Sequence, residues 1–129
     1  MVFAQLLNER GLTAADGTVL APPGSIKVVG GMALLDPVHT FIDGDMRIPS
    51  NVEGGVLVVR ALDETRTDFR DVDYSNDDRV VTVEVRGNHV GVGGGYDLNG
   101  TGAAALEGVT AYFQNNGTPI APVPPELRL

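Results

Sequence analysis

The chain has 129 residues, no cysteine, 17 acidic against 9 basic residues and a formal net charge of −8. Its length fits one domain, and the lack of cysteine excludes disulfides and thiolate metal sites. Nucleic-acid binding needs clustered basic residues, and here the arginines are scattered and Lys27 is the only lysine, so we expect no direct contact with nucleic acid. We also expect no membrane association, because no apolar run reaches about 18 residues. We expect the chain to be made in the cytoplasm, because its start does not resemble a signal peptide.

Residues 1–24 are predicted to form an N-terminal arm outside the core. Residues 2–10 can form a short helix that places Phe3, Leu6 and Leu7 on one side. A helix shorter than about 12–15 residues is unstable alone in water, so these side chains need a surface to pack against. Residues 11–24, "GLTAADGTVLAPPG", have few large apolar side chains and two adjacent prolines, which favours extended chain.

Apolar segments after Ser25 predict β-strands. These segments are "SIKVVGGMALLD", "HTFIDGD", "GGVLVVRAL" and "RVVTVEVRG". The third is long enough for a strand that is buried on both faces. In the fourth, Val81, Val83 and Val85 alternate with polar residues, which predicts a half-buried strand.

A single helix is predicted in this domain, over Ala103–Gln114, with Thr101 as its cap and an Asn-Asn-Gly stop. The preceding "GNHVGVGGG" is predicted to be a loop, and the proline-rich end is predicted to be extended or free. The predicted fold class is therefore mainly β (α+β). The domain covers 25–123 and a C-terminal tail covers 124–129.

The stretch "DVDYSNDDRV" has the alternation of oxygen ligands found in calcium loops, at Asp71, Asp73, Ser75 and Asp77. The calcium-loop pattern also requires a glycine at position 6 and a glutamate at position 12. Asn76 and Thr82 occupy those positions, and a cation, Arg79, occupies position 9. An Asp/Asn/Ser turn before a strand is the favoured interpretation, with a non-standard calcium loop as the alternative.

No other motif predicts catalysis or a cofactor. The two histidines, His39 and His89, have no acidic neighbours at metal-ligand spacing. None of the three serines lies in a G-x-S-x-G motif, and "GVGGG" lacks the Lys-Ser/Thr of a phosphate loop. We therefore predict no catalytic residue, no resident metal, no cofactor and no enzymatic activity.

Several short motifs follow one another in a recognisable order. They are "LAPPGSIKV", "MALLD", "TFIDG", "GGVLVVRALDETRT", "RVVTVEVRGNHV", "AAALEGVTAYFQ" and "GTPIAPV". Over residues 20–123 this order resembles the lambda-type capsid decoration (cement) proteins of tailed viruses. The family's G-(V/I)-L and A-x-D-x-T pattern is matched by Gly55, Val56, Leu57, Ala61, Asp63 and Thr65. The chain departs from the family in its helical start, the acidic and glycine-rich loops, the tail after Val123 and the absence of tryptophan.

The resemblance implies a small β-barrel-like or β-tulip domain in the virion, on the capsid exterior. It implies a homotrimer that binds the major capsid protein of an expanded icosahedral shell and clamps neighbouring capsomers against DNA pressure. The arm would add a strand to the capsid protein's sheet. The predicted capsid-binding residues are Val19, Leu20, Ala21, Pro22 and Pro23, with further apolar contacts from Phe3, Leu6 and Leu7.

Two other classes of function are kept as alternatives. One is a calcium-assisted ligand-binding or carbohydrate-binding β module, in which the acidic loop is functional and the arm is a linker. The other is a different virion part, such as a tail-tube or head-completion protein, which would assemble as a ring of different symmetry.

Overall fold

The computed structural model describes residues 2–39, 46–64, 70–95 and 100–128. Its helices are α1 (Val2–Arg10), α2 (His89–Val92) and α3 (Thr101–Asn115), and a short 3-10 helix covers Pro125–Leu127. Its strands are β1 (Leu12–Thr13), β2 (Val19–Ala21), β3 (Met32–Leu35), β4 (Val38–His39), β5 (Val56–Ala61), β6 (Arg70–Asp71) and β7 (Val80–Val85). The prediction of a small, β-rich α+β domain is confirmed.

A parallel sheet in the order β3-β5-β7 forms the centre of the domain. Its middle strand β5 is the apolar run that was predicted to be buried on both faces, and five of its six residues are buried. Continuous Val/Leu runs are typical of such strands, because both faces of a parallel sheet are covered. Two antiparallel pairs, β1-β2 and β4-β6, complete the described strands.

Each face of β5 packs into its own apolar core. On one face, Val56 and Val58 pack with Ala4 of α1 and with Ile48, Val52 and Tyr74. On the other face, Leu57, Val59 and Ala61 pack with Val92 of α2, and side chains of α3 cover this cluster. The sheet is therefore a middle layer, with α1, residues 48–52 and Tyr74 on one side and the helices α2 and α3 on the other.

The prediction that β7 is half-buried is wrong. Val81 and Val83 are 58% and 44% exposed, although they lie on the same side of the sheet as α3. The reason is the position of β7, which is an edge strand among the described strands, whereas α3 packs over β5 and β3. A groove of about 450 Å³ runs between α3 and the C-terminal segment, and one of about 260 Å³ separates β7 from the small side chains of α3.

The glycine-rich segment after β7 is partly helical, which the sequence did not predict. Asn88 caps α2 by accepting a hydrogen bond from the Gly91 N–H at 2.8 Å. Val92 is fully buried in the second core, so the segment contributes to packing. Residues 117–123, the "GTPIAPV" motif, are described and contain no strand. The motif "TFIDG", residues 40–44, lies outside the described residues.

The predicted helix is confirmed as α3, with a different start. Its N-cap is Gly100 in a left-handed conformation, and Thr101 is the first helical residue. The Thr101 hydroxyl donates to the Arg86 carbonyl at 2.9 Å, which joins the helix to the end of β7.

Candidate functional site

The N-terminal module, residues 2–24, consists of α1 and the β1-β2 pair. Its helix is fixed to the domain through Ala4, whose side chain is buried and whose carbonyl accepts a hydrogen bond from the buried Asn51 amide at 3.0 Å. The Gly24 N–H donates to the Asn8 carbonyl at 2.8 Å, which ties the end of the module back to α1. The predicted helix over residues 2–10 is confirmed, and it is docked on the core.

The second half of the module is a hairpin that folds back on α1. Gly11 ends the helix with φ 68°, and a side chain there would collide with the Ala21 carbonyl, so the close approach of the two segments requires glycine. The hairpin turn is closed by Asp16, whose carboxylate accepts the Thr18 N–H at 2.9 Å. This hydrogen bond lowers the pKa of Asp16 below its ordinary value. The sequence predicted extended chain here but not the pairing of its two ends.

The predicted capsid-binding residues lie on this hairpin and are mostly exposed. Val19 and Leu20 of β2 are 62% and 63% exposed, and Pro22 and Pro23 are exposed beyond the strand. Ala21 is half-buried. On α1, Phe3 is 73% exposed and Leu6 is at the surface, whereas Leu7 is half-buried. The module therefore presents several large apolar side chains to solvent.

The acidic loop is organised by hydrogen bonds within the chain. Both carboxylate oxygens of Asp77 are bound by the Arg79 guanidinium, at 2.9 and 2.6 Å. This contact lowers the pKa of Asp77 and raises that of Arg79. Asp73 accepts the N–H of Ser75 at 2.9 Å, which is an Asx turn, and that hydrogen bond lowers its pKa. The side chain of Asp71 is outside the described part.

Arg79 also binds a second segment of the chain. Its guanidinium donates to the carbonyls of Ile48, Pro49 and Val52, at 2.8–3.0 Å. The cation at position 9 of the loop is thus a structural group that fixes residues 48–52 against the start of β7. Within the described residues, no group of three acidic or histidine side chains is placed to hold a metal ion.

A buried carboxylate at the end of β3 has a histidine partner that the sequence did not reveal. Asp36 is 2% exposed, and its Oδ2 lies 2.8 Å from Nδ1 of His89. Its Oδ1 accepts the N–H of Ala61 at 2.8 Å. The backbone N–H of His89 donates to the Glu64 carboxylate at 3.2 Å. No local pattern indicates the pair, because its members lie 53 positions apart, at the carboxyl ends of strands whose parallel order was unknown.

This Asp-His pair resembles in outline the pairs that orient a catalytic imidazole, but it is one element of such a site. Catalysis would also need a nucleophile or a positioned substrate group within hydrogen-bond reach of the ring. The contacts described for Asp36 and His89 instead join the ends of β3 and β5 to the start of α2. The side chain of His39, the other histidine, is outside the described part.

Comparison with family models, curated proteins and solved structures found no significant match to this chain. In the described segments, no helix is both long and apolar enough to cross a bilayer.

Proposed function

We propose that the chain is a structural virion protein that binds the outer surface of an expanded capsid through its N-terminal module. The observation that carries the proposal is the exposure of Val19 and Leu20 on β2, a strand paired on one side only among the described residues. Exposed apolar side chains beside an open strand edge favour binding to another protein by strand addition. The order of motifs along the chain supports a capsid protein as that partner.

In this proposal the hairpin docks as a preformed unit. The outer edge of β2 adds to a sheet of the major capsid protein, so the main-chain hydrogen bonds supply affinity while Val19 and Leu20 fill apolar pockets. A folded hairpin loses less entropy on binding than a free arm. Three chains acting together, as the resemblance implies, would add avidity to a weak single contact and hold neighbouring capsomers together.

The proposal is tested by co-sedimentation with expanded capsid shells of a lambda-type tailed virus. The wild-type chain is compared with Val19→Asp/Leu20→Asp, two changes at exposed positions that leave the core intact. Val29→Asp is the matched control, because Val29 is 69% exposed and lies outside the module. A chain that begins at Ser25 is less informative, since it also loses the contacts of Ala4 with the core.

We expect saturable binding by the wild type and the control, with a loss of at least about tenfold in affinity for the double variant. Absence of wild-type binding at both low and high salt would exclude the proposal. Equal binding by the double variant would exclude the hairpin as the contact.

A calcium titration separates this proposal from the calcium-assisted alternative. A functional calcium loop would raise the free energy of unfolding by about 2.7 kcal/mol at a hundredfold excess of calcium over the dissociation constant. We expect no such gain, because Arg79 already binds both carboxylate oxygens of Asp77.

A further inference from the structure

Among the described residues, the outer edge of β7 is unpaired and lacks three features that often protect an edge strand. Proteins commonly protect such edges with proline, lysine or a bulge. The strand "VVTVEV" contains neither proline nor lysine, and its pairing with β5 is regular over all six residues. Val81 and Val83 are also exposed along this edge.

The main-chain groups of β7 can accept a further strand. The carbonyls of Arg79 and Val85 accept hydrogen bonds from β5 and from Leu62, so odd-numbered residues of the strand direct their main-chain groups inward. Because these groups alternate in direction along a strand, the N–H and C=O of Thr82 and Glu84 point away from β5.

We propose that a second copy of this chain fills this edge, with the two β7 strands antiparallel and centred on Thr82. This register places Thr82 opposite Thr82 and Val81 opposite Val83 of the other copy. The apolar valines then cover each other on the α3 side, beside the groove next to Ala104, Gly108 and Ala111. The product is one continuous sheet of six strands.

The charges beside the strand identify a second copy as the occupant and select the register. Centring on Thr82 brings Asp78 of each copy toward Arg86 of the other. Asp78 is exposed and has no ion pair with another described residue. The Arg86 side chain is 85% exposed and pairs with Asp63 through Nη1, at 3.1 Å. Glu84 lies opposite Val80, so the two Glu84 side chains are separated by about 13 Å along the strand, beyond the screening length of about 8 Å. Asp78 lies diagonal to Glu84 of the other copy, about 7–8 Å away, and Arg86 lies beside both carboxylates, so a chain with a net charge of −8 can meet its own copy here.

The first test is the mass of the assembly that the 129-residue chain forms in solution. A two-fold contact joins two single chains or two larger assemblies, so we expect an even number of chains at about 100 µM. Arg86→Glu and Asp78→Arg should each raise the dissociation constant about tenfold, because they place like charges opposite each other. The combination of both substitutions restores opposite charges and should restore the wild-type mass.

Arg10→Glu is the control for net charge, since it makes the same change at an exposed position on α1. A wild-type mass of one or three chains would overturn the proposal. So would an even mass that Arg86→Glu and Asp78→Arg leave unchanged.

The second test determines the register by disulfide cross-linking of single introduced cysteines, which is possible because the chain has no cysteine of its own. Two Thr82 Cα atoms in such a pair lie about 5.5 Å apart, within the 4.4–6.8 Å span of disulfides. Thr82→Cys should therefore form a covalent dimer on mild oxidation, whereas Glu84→Cys should not. Failure of Thr82→Cys to cross-link, or equal cross-linking by both variants, would overturn the register.

Discussion

The Asp36 carboxylate shows how much structure one side chain can hold. It joins the turn after β3 to the end of β5 and to the start of α2. Its backbone has φ 45°, a left-handed conformation that Asp and Asn tolerate better than other residues. An aspartate is therefore favoured here both for its backbone conformation and for the two acceptors it offers to buried donors.

Asp36→Ala should lower the free energy of unfolding by about 3 kcal/mol, because it leaves the Ala61 N–H without its acceptor and removes the partner of His89 Nδ1. Asp36→Asn keeps an acceptor for Ala61 and the tolerated backbone conformation, so we expect a loss of about 1 kcal/mol. Urea unfolding measures both values, with the exposed Glu126→Gln as a control. Equal losses for the two variants would contradict the assigned hydrogen bonds.

The Tyr112 hydroxyl is buried and has no hydrogen-bond partner among the described residues. Burial also raises the pKa of this phenol. Removing an unpaired buried polar group is neutral or favourable, so Tyr112→Phe should keep or raise stability by up to about 1 kcal/mol. Thermal unfolding tests this. A loss larger than about 1 kcal/mol would mean that the hydroxyl has a partner.

At the scale of elements, the sequence predicted best where a local pattern was sufficient. The apolar run of β5 and the span of α3 are both set by nearby residues, and both are confirmed. The exposure of β7 depends on which strand lies at the edge, and α2 depends on Val92 reaching a core built from distant segments. The Asp36–His89 pair was missed for the same reason, because it exists only once β3, β5 and β7 are parallel neighbours.

The junction between β5 and α3 requires glycine at position 55. A Cβ on Gly55 would lie 2.6 Å from the Tyr112 hydroxyl oxygen. Gly55→Ala should therefore cost about 1–3 kcal/mol through overpacking. The cost should be smaller in a Tyr112→Phe background, where the colliding oxygen is absent. Gly108→Ala is the matched control, since a Cβ there meets open space in the middle of α3 and should stabilise the helix by about 1 kcal/mol. Urea unfolding of the wild type, Gly55→Ala, Tyr112→Phe and the double variant gives the coupling energy between positions 55 and 112. An equal cost of Gly55→Ala in both backgrounds would contradict the contact between position 55 and the Tyr112 hydroxyl.

Arg79 holds residues 48–52 against the start of β7 through one planar group. A lysine keeps the charge but cannot reproduce the bidentate contact with Asp77 and three carbonyl contacts. We expect Arg79→Lys to lower stability by about 2 kcal/mol, measured in urea. Arg10→Lys, at an exposed position, is the control and should have little effect. A loss no greater than that of the control would show that the carbonyl contacts are dispensable.

For the whole molecule, the arrangement of charge determines the response to acid. The pKa of Asp77 lies below its ordinary value of 3.8, so its contribution to stability is complete above about pH 4. That contribution is lost as the pH falls through the lowered pKa. We expect the urea concentration at the unfolding midpoint to decrease when the pH is lowered below about 4. In the Asp77→Asn variant this decrease should be smaller. An equal decrease of the urea midpoint with pH in the wild type and in Asp77→Asn would contradict the lowered pKa of Asp77.

The parallel sheet also has a consequence for how the chain acquires its structure during synthesis. Met32 pairs with Val56, and Val56 pairs with Val80, so each pairing joins residues 24 positions apart. Such non-local contacts slow folding relative to hairpins, because a long loop must close before any contact forms. The N-terminal module leaves the ribosome well before its anchor Asn51 and the strands around it. Newly made chains should therefore expose Ala4, Val56 and Val58, which are buried in the folded protein, to chaperones until β7 has emerged.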